Sequence, residues 1–461
     1  MVFDFVNKLT LWFIVFLLFL ASSCRKSPEE FSTVNFLRLG DAIEPVDYVV
    51  STDSLLDFAP SGTNTAVYIE SRIKLTFPAD MKKEFGIEIS TGVFQLIKSG
   101  RDSVSVGGTI TLSDSSVDFL PNYDLIPNTA YSVFFDIDYL KNPRNKKFPK
   151  KRLRFLANFT TRGETEYSIG RNATTVAAFR RDGTKTVQMG DYLYSYGGWI
   201  PVPDESLNDF YRSTGDLSRW DKVGNAPWFP RHTFGLGKID STLYIFGGDA
   251  LNDSFDVWRS GDGENFEIVP QIDGENPGRR MLYGSVVHNN ELMVLGGQKA
   301  LELNEGLDDV WSSPDGRVWK KLSSGNTFLG KNITGSVASF NREIWVVGGG
   351  YYKNPNSNVQ WSNEVYSSPD GIHWQRHPDA PWTGRQYADV CVWNNCLWMV
   401  GGAKGENLRD IWLMRRDGSW EYVDPPAEFE PRHATALTVY NDQLILTNGN
   451  LHNDCWVIKR K

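Results

Sequence analysis

The sequence predicts an all-β protein in two folded parts, a β-sandwich followed by a six-bladed β-propeller. First, the 461 residues include 41 Gly, 22 Pro, 16 Trp, 18 Tyr and 27 Phe, a composition that suits short strands and tight turns. Second, every Trp except Trp12 lies between Trp199 and Trp456, so the composition changes near residue 163. Third, a unit of about 50 residues recurs six times over residues 166–461, a period typical of propeller arrays.

Composition and motifs argue against several function classes. The balance of 48 Lys and Arg against 56 Asp and Glu gives a net charge of -8, which disfavours a general nucleic-acid binder. Six scattered His and four Cys offer neither a His-rich metal site nor a disulfide scaffold. The sequence also lacks HExxH, GxSxG, phosphate-loop and CxxC motifs. We therefore expect no metal, no cofactor and no catalytic residue that a motif would identify.

The N-terminus has the pattern of a targeting segment. The apolar run from Leu9 to Ala21 is too short to cross a membrane but suits the central region of a signal peptide. The string Ala21-Ser22-Ser23-Cys24 that closes it resembles a lipobox, which implies a signal peptide over residues 1–24 and lipidation of Cys24. A plain signal peptide with an incidental cysteine is the alternative.

The short polar segment after Cys24, residues 25–30, is similar to the tether of Bacteroidetes surface lipoproteins. Several acyl chains on one cysteine would anchor the protein stably in a membrane. We expect a bacterial outer-membrane location, with the protein lipid-anchored and exposed at the cell surface.

Residues 31–163 form the predicted sandwich. Short runs such as residues 73–77 and 131–135 alternate apolar and polar residues between turn signals, which is typical of an antiparallel sandwich. The strings at residues 75–81, 125–131 and 159–161 resemble the bacterial Ig-like domain of SbsA type, which implies a spacer or stalk. Residues 141–154 carry eight cations and no acid, which suits either a solvated hairpin or contact with an anionic surface.

A pair of glycines that closes an apolar strand marks each repeat of residues 166–461, with one degenerate copy. The pairs are Gly197-Gly198, Gly247-Gly248, Gly296-Gly297, Gly348-Gly349, Gly401-Gly402 and the degenerate Asn448-Gly449. Each pair is followed by an acid, an apolar residue and an aromatic residue; the acids are Asp209, Asp256, Asp309, Glu364, Asp410 and Asp454. This pattern resembles the kelch repeat, which implies four strands per blade and six blades. Because the acid is present in every blade, we interpret it as architectural and expect it to accept hydrogen bonds from loop N–H groups.

Two further features of the repeats concern architecture. Asp-Gly turns, as in residues 312–319 and 367–374, predict tight hairpins between the third and fourth strands and are similar to the Asp-box of sialidases. The last repeat stops at Lys461 without a fourth strand. We expect residues 172–179 to supply that strand and so remove an exposed sheet edge.

The candidate binding residues begin with an arginine that lies sixteen positions before the glycine pair of five blades. These are Arg181, Arg231, Arg280, Arg385 and Arg432; in blade four the register falls on Asn332, beside Lys331. In kelch proteins this position often lines the pocket, so the resemblance implies a ring of arginines around one channel mouth. Two roles remain open, bracing of the loops and binding of a carboxylate or another anion, for which the guanidinium fork is well suited.

Aromatic residues complete the candidate site. Trp228 and Trp382 lie three positions before a ring arginine, and the loops after the glycine pairs contribute Trp199, Tyr351, Tyr352 and Trp361. Aromatic faces beside polar groups suit sugar rings, and Trp, Tyr and Arg are also common in protein interfaces. Packing between neighbouring loops is the alternative for each of them.

Evidence for catalysis is sparse. His232 and His433 each follow a ring arginine and are the two histidines worth testing as an acid or base. Cys391 and Cys396 flank a predicted hairpin turn, too far apart for an easy disulfide. Galactose oxidase shares the propeller class, but the sequence has no matching set of residues for its copper site. A sialate mutarotase is also a six-bladed kelch protein, so an isomerase of cyclic sugars stays an alternative.

From the sequence we infer an envelope-anchored lipoprotein whose propeller recognises a glycan or protein ligand without catalysis. The partners would be that ligand and the membrane, reached through the lipid anchor, and not nucleic acid. The alternative is an enzyme acting on an acidic sugar, with the arginines holding its carboxylate.

Overall fold

A computed structural model describes residues 33–39, 42–52, 64–67, 73–76, 93–99, 104–113, 116–139, 151–161, 165–172 and 180–461. Within the last range, residues 251–254, 273–274, 300–305 and 351–360 are not described. The predicted signal peptide, Cys24 and the tether lie outside the described residues. The chain divides into two compact units, residues 1–165 and 166–461.

The first unit contains ten described strands in two five-stranded sheets, ordered β1-β2-β4-β8-β7 and β3-β10-β9-β5-β6. The strands are β1 Thr33–Leu39, β2 Ala42–Thr52, β3 Asn64–Val67, β4 Ile73–Thr76, β5 Val93–Lys98, β6 Val104–Ser105, β7 Gly108–Leu112, β8 Ser116–Pro121, β9 Ala130–Tyr139 and β10 Lys151–Thr161.

The two sheets of the first unit pack against each other through apolar side chains. Phe94 of β5 stacks on Phe119 of β8 with ring centroids 4.7 Å apart, and Leu96 and Val133 are buried beside them. The pairing is antiparallel except between β3 and β10, which are parallel, whereas the sequence predicted antiparallel pairing throughout. Residues 151–154 of the basic stretch begin β10, which pairs with β9, and its residues 141–150 are outside the described range.

The second unit consists of six four-stranded antiparallel sheets among its described residues, and two short two-stranded pairs. This is the predicted β-propeller, and the one helical turn in the described residues is a 3-10 turn at Thr327–Leu329. No helix among the described residues is both long enough and apolar enough to span a membrane.

The strands of the second unit follow the repeats. They are β11 Tyr167–Arg171, β12 Lys185–Met189, β13 Tyr192–Pro201, β14 Asp204–Thr214, β15 Asp221–Asn225, β16 Arg231–His232, β17 Gly235–Ile239, β18 Thr242–Phe246, β19 Asp249–Ala250, β20 Val257–Ser260, β21 Glu267–Ile268, β22 Gly284–His288, β23 Glu291–Leu295, β24 Val310–Ser313, β25 Lys320–Ser323, β26 Val337–Phe340, β27 Glu343–Val347, β28 Val365–Ser368, β29 Gln375–Arg376, β30 Asp389–Trp393, β31 Cys396–Val400, β32 Ala403–Lys404, β33 Glu406–Asn407, β34 Ile411–Met414, β35 Trp420–Val423, β36 Ala436–Tyr440, β37 Gln443–Thr447 and β38 Cys455–Arg460.

The sixth blade is built from both ends of the second unit. Its order is β36, β37, β38 and then β11, because Tyr167 to Arg171 pair antiparallel with Arg460 to Trp456. Closure by N-terminal chain is therefore confirmed, but the strand lies a few residues earlier than the predicted 172–179. Of that predicted segment, residues 173–179 lie outside the described range.

The glycine pairs allow neighbouring blades to approach closely. Gly401 has a φ of 58°, and a Cβ atom there would lie 2.4 Å from the carbonyl oxygen of Arg432 in the next blade. At Gly198 a Cβ atom would lie 2.8 Å from Cδ of Arg181. Any larger residue would clash at both places, so the glycines leave room for the arginine of the same blade or of the next one.

The repeated Asp-Gly turns are held by their own side chains, as expected of a structural turn. Ser368 Oγ accepts from the N–H of Gly371 at 2.8 Å, and Asp370 Oδ1 accepts from the N–H groups of Ile372 and His373. In blade three, Ser313 Oγ accepts in the same way from the N–H of Gly316 at 2.8 Å. These turns close the outer hairpins of the blades.

Candidate functional site

Each of the five arginines is paired within its own blade. Arg231 is fully buried and donates from Nη1 to Asp256 Oδ1 at 2.6 Å and from Nη2 to Asp256 Oδ2 at 2.8 Å. Its Nη1 also donates to the carbonyl of Gly247, the first glycine of the pair, at 2.8 Å. The other pairs are Arg181–Asp209 at 2.6 Å, Arg280–Asp309 at 2.7 Å, Arg385–Asp410 at 2.5 Å and Arg432–Asp454 at 2.7 Å.

The acids of these pairs receive a further hydrogen bond from the aromatic residue two positions later. The indole Nε1 of Trp258 donates to Asp256 at 2.9 Å, and Trp456 donates to Asp454 at 2.8 Å. Burial alone would raise the pKa of Asp454, but the hydrogen bond and charge of Arg432 hold it below its ordinary value. These carboxylates therefore accept hydrogen bonds from arginine and aromatic side chains, and not from the loop N–H groups that the sequence suggested.

Blade four uses a lysine in place of the arginine. Lys331 is buried and its Nζ lies 3.5 Å from Glu364 Oε2, so it takes the place that the sequence register assigned to Asn332. Asn332 instead pairs with Gly350, just beyond the glycine pair of its blade. The register shifts because the chain between Lys331 and the first glycine of its pair, Gly348, is one residue longer than in the other blades. We call these six pairs, five with arginine and one with lysine, the ion-pair ring.

The ion-pair ring favours the bracing role over anion binding. All five arginines are buried, and each makes two hydrogen bonds to a carboxylate and at least one to a backbone carbonyl; they are Arg181, Arg231, Arg280, Arg385 and Arg432. A buried guanidinium whose charge is already matched has little to offer a second anion. Sequence reasoning left both roles open, and the geometry supports bracing.

The predicted aromatic residues divide into two groups. Trp228 and Trp382 are each 2% exposed and lie between blades, where Trp228 meets Phe266 edge-on at 4.7 Å and Trp382 meets Trp420 at 5.6 Å. They are core residues, because no face is left open for a ligand to stack on. Trp199 and Trp361 are half-buried beyond their glycine pairs, whereas Tyr351 and Tyr352 lie outside the described residues.

The residues immediately after the ion-pair ring form a second ring, which we call the mouth layer. It consists of Asp182, His232, Met281, Asn332, Gln386 and His433. The first five pair with the residue that follows a glycine pair, and the carbonyl of His433 accepts from the N–H of Asn450 at 3.2 Å. The chain then turns from blade to blade, as where the N–H of Gly183 donates to Ala434 O and that of Ala434 donates to Tyr387 O. The mouth layer therefore surrounds the propeller axis.

The mouth layer is open on one side. The side chains of Asp182, His232 and His433 are 13%, 21% and 25% exposed, whereas Met281, Asn332 and Gln386 are buried. The accessible part of the mouth is consequently formed by blades six, one and two.

A polar cluster lies at this accessible side. His433 Nδ1 is 2.8 Å from Asn407 Oδ1, its Nε2 is 3.7 Å from Asp182 Oδ2, and the ring of Tyr387 lies 5.6 Å away. Burial lowers the pKa of His433, and burial raises the pKa of Asp182 to about 6. We call His433, Asp182, Asn407 and Tyr387 the axial cluster; its members can donate, accept and exchange protons near neutral pH.

A second polar group, built around Asp389, lies next to the axial cluster in the sequence. Asp389 is two residues after Tyr387, and its partner Thr435 is two residues after His433. Asp389 is buried, accepts from Thr435 Oγ1 at 2.9 Å and lies 3.8 Å from the Nζ of Lys185. Burial raises the pKa of Asp389 against the opposing effects of Lys185 and Thr435. Blades five, six and one thus each contribute a polar side chain to a second level beyond the axial cluster.

A second histidine site lies between blades one and two. His232 Nδ1 is 3.0 Å from Ser206 Oγ, and its Nε2 is 3.8 Å from Asp249 Oδ2. Trp199 lies beside it, with ring centroids 6.5 Å apart, and donates from Nε1 to Asp204 at 2.7 Å.

Sequence reasoning selected the two histidines but missed Asp182, Asn407, Tyr387 and Ser206. Asp182 could have been found at the position directly after the arginine, because the residue type at that position changes from blade to blade. Ser206 and Asn407 share another register, three positions before the acid of their blades.

The metal-ligating and thiol side chains of the described residues do not cluster. No group of three or more His, Cys, Asp or Glu in the described part of the chain could hold a metal ion. Among the described residues, Cys391, Cys396 and Cys455 form no disulfide, and Cys455 is buried in its strand. Cys391 lies opposite Trp398 and Cys396 opposite Trp393, so the two thiols are diagonal across the predicted hairpin.

Comparison with known proteins places the second unit among β-propellers. A family model described as the DUF6242 beta propeller domain matches residues 279–417. Kelch domain-containing protein 3 of Rattus norvegicus is 26% identical over 159 residues, which cover 31% of this chain and 40% of that protein. N-acetylneuraminate epimerase 1 of Escherichia coli O6:H1 is 22% identical over 241 residues, 50% of this chain and 58% of the relative.

Host cell factor of Drosophila melanogaster is 24% identical over 281 residues, which cover 53% of this chain and 18% of that protein. The chain thus spans between about a fifth and three-fifths of the length of these relatives. The repeats, the six sheets and these matches agree: the chain contains a β-propeller with kelch-domain relatives at low identity.

Proposed function

We propose that the protein is an envelope-anchored lipoprotein whose propeller binds a glycan or protein ligand at its mouth. The observation that carries the proposal is the axial cluster, a partly open group of hydrogen-bonding side chains at the propeller axis. Ligand sites commonly combine a concave position with a few convergent polar groups. The kelch-domain relatives support a binding role in the same sense.

The axial cluster suits a hydroxyl-rich ligand better than an anion. His433 and Asn407 offer both donors and acceptors, and Tyr387 adds an aromatic ring beside them. The cations of the ion-pair ring are already matched by carboxylates, so no free positive charge is added there. We therefore assign recognition to the axial cluster and to the half-buried Trp199 and Trp361, and not to the arginines.

A glycan array with the detergent-solubilised full chain tests the binding proposal. Replacing His433 and Asn407 together by Ala should weaken a bound glycan by about tenfold or more, since two hydrogen bonds are lost. The exposed Arg219→Ala variant is the control and should bind like the wild type. A glycan or protein ligand that binds both variants equally would place recognition elsewhere on the protein.

Anchoring is the second part of the proposal, supported by the apolar segment before Cys24. Cys24→Ala should move the protein from the membrane fraction to the soluble fraction without changing its thermal unfolding. Metabolic labelling with palmitate measures the modification directly. Label that persists on the Cys24→Ala protein would contradict the lipobox. The Ig-like class of residues 31–163, and its role as a stalk, remain part of the same proposal.

The alternative function is an enzyme acting on an acidic sugar. The similarity to N-acetylneuraminate epimerase 1 favours it, as does the proximity of His433 and Asp182, which could move protons at a sugar ring. The arginines would not hold the carboxylate in this case, because they are paired. Nuclear magnetic resonance of N-acetylneuraminate with the wild type and with His433→Gln would show whether the protein accelerates exchange between the sugar anomers.

A further inference from the structure

The seam between blades one and two brings a serine, a histidine and an aspartate together. The strands β13 and β14 continue as a hairpin past the glycine pair, and Trp199 lies directly opposite Ser206 in it. His232 lies directly opposite Asp249 in the short β16–β19 pair. These two pairings place Ser206 Oγ 3.0 Å from His232 Nδ1 and Asp249 Oδ2 3.8 Å from His232 Nε2.

We propose that Ser206, His232 and Asp249 form a nucleophilic serine site that takes acyl esters. The site shares Trp199 with the residues proposed for ligand recognition, but its three reacting side chains lie outside the axial cluster of blades five, six and one, so acyl transfer can be tested without the proposed ligand. Ser206 and His232 are both half-buried, so a small acyl group can approach the hydroxyl.

The geometry assigns a role to each residue. A serine hydroxyl becomes a useful nucleophile when a neighbouring base accepts its proton. Burial lowers the pKa of His232, while the carboxylates of Asp249 and Asp204 act in the opposite direction, so the imidazole is neutral at pH 7. With Nδ1 accepting from Ser206, the remaining proton is on Nε2 and is directed toward Asp249. Asp249 thereby orients the ring through an electrostatic contact that is longer than a hydrogen bond, as is common before substrate binds.

The reaction would proceed in two steps. Ser206 Oγ attacks the ester carbonyl carbon while its proton passes to His232 Nδ1; the bond to the alcohol oxygen then breaks, and that oxygen takes the proton from His232. Water repeats the sequence on the acyl-serine, which releases the carboxylic acid and restores the serine hydroxyl. Every proton and leaving group is accounted for by His232, the ester and one water molecule.

Trp199 supplies an apolar wall for the acyl group. Its indole is fixed by the hydrogen bond to Asp204, and it lies on the same face of the hairpin as Ser206 because the two residues form a cross-strand pair. A rigid ring at this place favours short acyl chains, such as acetyl esters.

The blade-six site provides an internal comparison. Asn407 occupies the register of Ser206 and contacts His433 as Ser206 contacts His232. An amide cannot act as a nucleophile here, so the same geometry at that site joins two blades and presents hydrogen-bonding groups without nucleophilic chemistry. Joining the blades is thus the competing explanation for the Ser206–His232 contact, and the experiment has to separate it from catalysis.

The test uses the full chain and a fluorophosphonate probe, with the labelled residue located by peptide mass spectrometry. We expect an adduct on Ser206 and none on the protein with Ser206→Ala. His232→Asn should slow labelling by at least about 100-fold, the lower end of the effect of a general base. His373→Asn, which changes a histidine that is 80% exposed in an Asp-Gly turn, is the control and should label at the wild-type rate. Hydrolysis of 4-nitrophenyl acetate should fall in parallel with the labelling.

Two results would overturn the proposal. The first is a folded wild-type protein with no adduct on Ser206, which needs no variant to interpret. The second is a Ser206 adduct whose rate is unchanged in His232→Asn, with Asp249→Asn measured in its place if the histidine variant does not fold. Either result would identify the Ser206–His232 contact as a link between blades.

Discussion

The ion-pair ring and the mouth layer are adjacent in sequence and opposite in character. Arg432 is fully buried with its charge matched by Asp454, while His433, the next residue, is one-quarter exposed and contacts side chains of two other blades. Five of the six ring positions hold the same residue, whereas the six mouth-layer positions hold five residue types. Uniformity across the blades therefore marks what every blade needs in order to fold, and variation marks what one ligand could require.

The largest expected effect comes from breaking one pair of the ring. Arg231→Met leaves Asp256 with no charged partner near a buried site, and removal of one member of such a pair costs about 3–5 kcal/mol. Urea unfolding followed by Trp fluorescence measures the loss. An arginine that only bound a ligand from a loop would leave the free energy of unfolding unchanged when replaced, so the measurement separates bracing from binding.

An exposed ion pair serves as the control for that change. Arg219 contacts Asp221, and their side chains are 82% and 56% exposed. Arg219→Ala should change the free energy of unfolding by less than about 1 kcal/mol, as is usual for surface pairs. Equal losses for Arg231→Met and Arg219→Ala would contradict the bracing role.

The second effect is a pH dependence that belongs to the mouth layer. Asp182 has an ordinary pKa of 3.8 that burial raises to about 6 in the folded protein, so the folded state holds the proton more tightly than the unfolded state. The stabilisation is complete below the ordinary pKa and is lost as pH rises through about 6, which amounts to at most about 3 kcal/mol.

Asp182→Asn cannot ionise and should remove this part of the pH profile. The variant should match the wild type near pH 4 and be the more stable of the two at pH 8, as measured by urea unfolding at each pH. Parallel profiles for the two proteins would show that Asp182 does not titrate in this range.

The smallest effect is expected in blade four. Glu364 is 37% exposed, so it keeps its hydration when Lys331 is replaced, and Met can fill the space of the lysine stem. Lys331→Met should therefore cost about 1 kcal/mol or less in urea unfolding. A loss as large as that of Arg231→Met would show that lysine and arginine brace their blades equally.

The fold could be predicted from sequence because its signals repeat. Five glycine pairs and one degenerate copy, each followed by an acid, recur about every 50 residues and identify the propeller. The shortened last repeat predicts closure by N-terminal chain. The closing strand was placed a few residues late because Tyr167–Arg171 lies before the first recognisable repeat and has no copy to align with. The parallel pairing of β3 and β10 could not be read from sequence either, since alternation of apolar residues does not reveal strand direction.

The candidate site was harder to predict because the most regular charged residue of the repeats, the arginine, is buried and paired in the folded blade. An arginine in five blades stands out by its charge and register, but the acids that neutralise it lie some 25 residues later and pair with it only in the folded blade. The burial of Trp228 and Trp382 was equally hard to predict, because it depends on contacts with the neighbouring repeat. Asp182 and Asn407 carry no repeat signal, and only the structure shows that they meet at His433.

The closure of the sixth blade has a mechanical consequence. Any tension carried along the chain from the first unit enters the propeller at Tyr167, the first residue of β11. The partner strand β38 is held at its other end, at Cys455, where it continues from β37. Pulling at opposite ends of an antiparallel pair loads its hydrogen bonds together in shear instead of opening them one at a time. A load that reaches β11 along the chain would thus be shared among the hydrogen bonds of the β11–β38 pair.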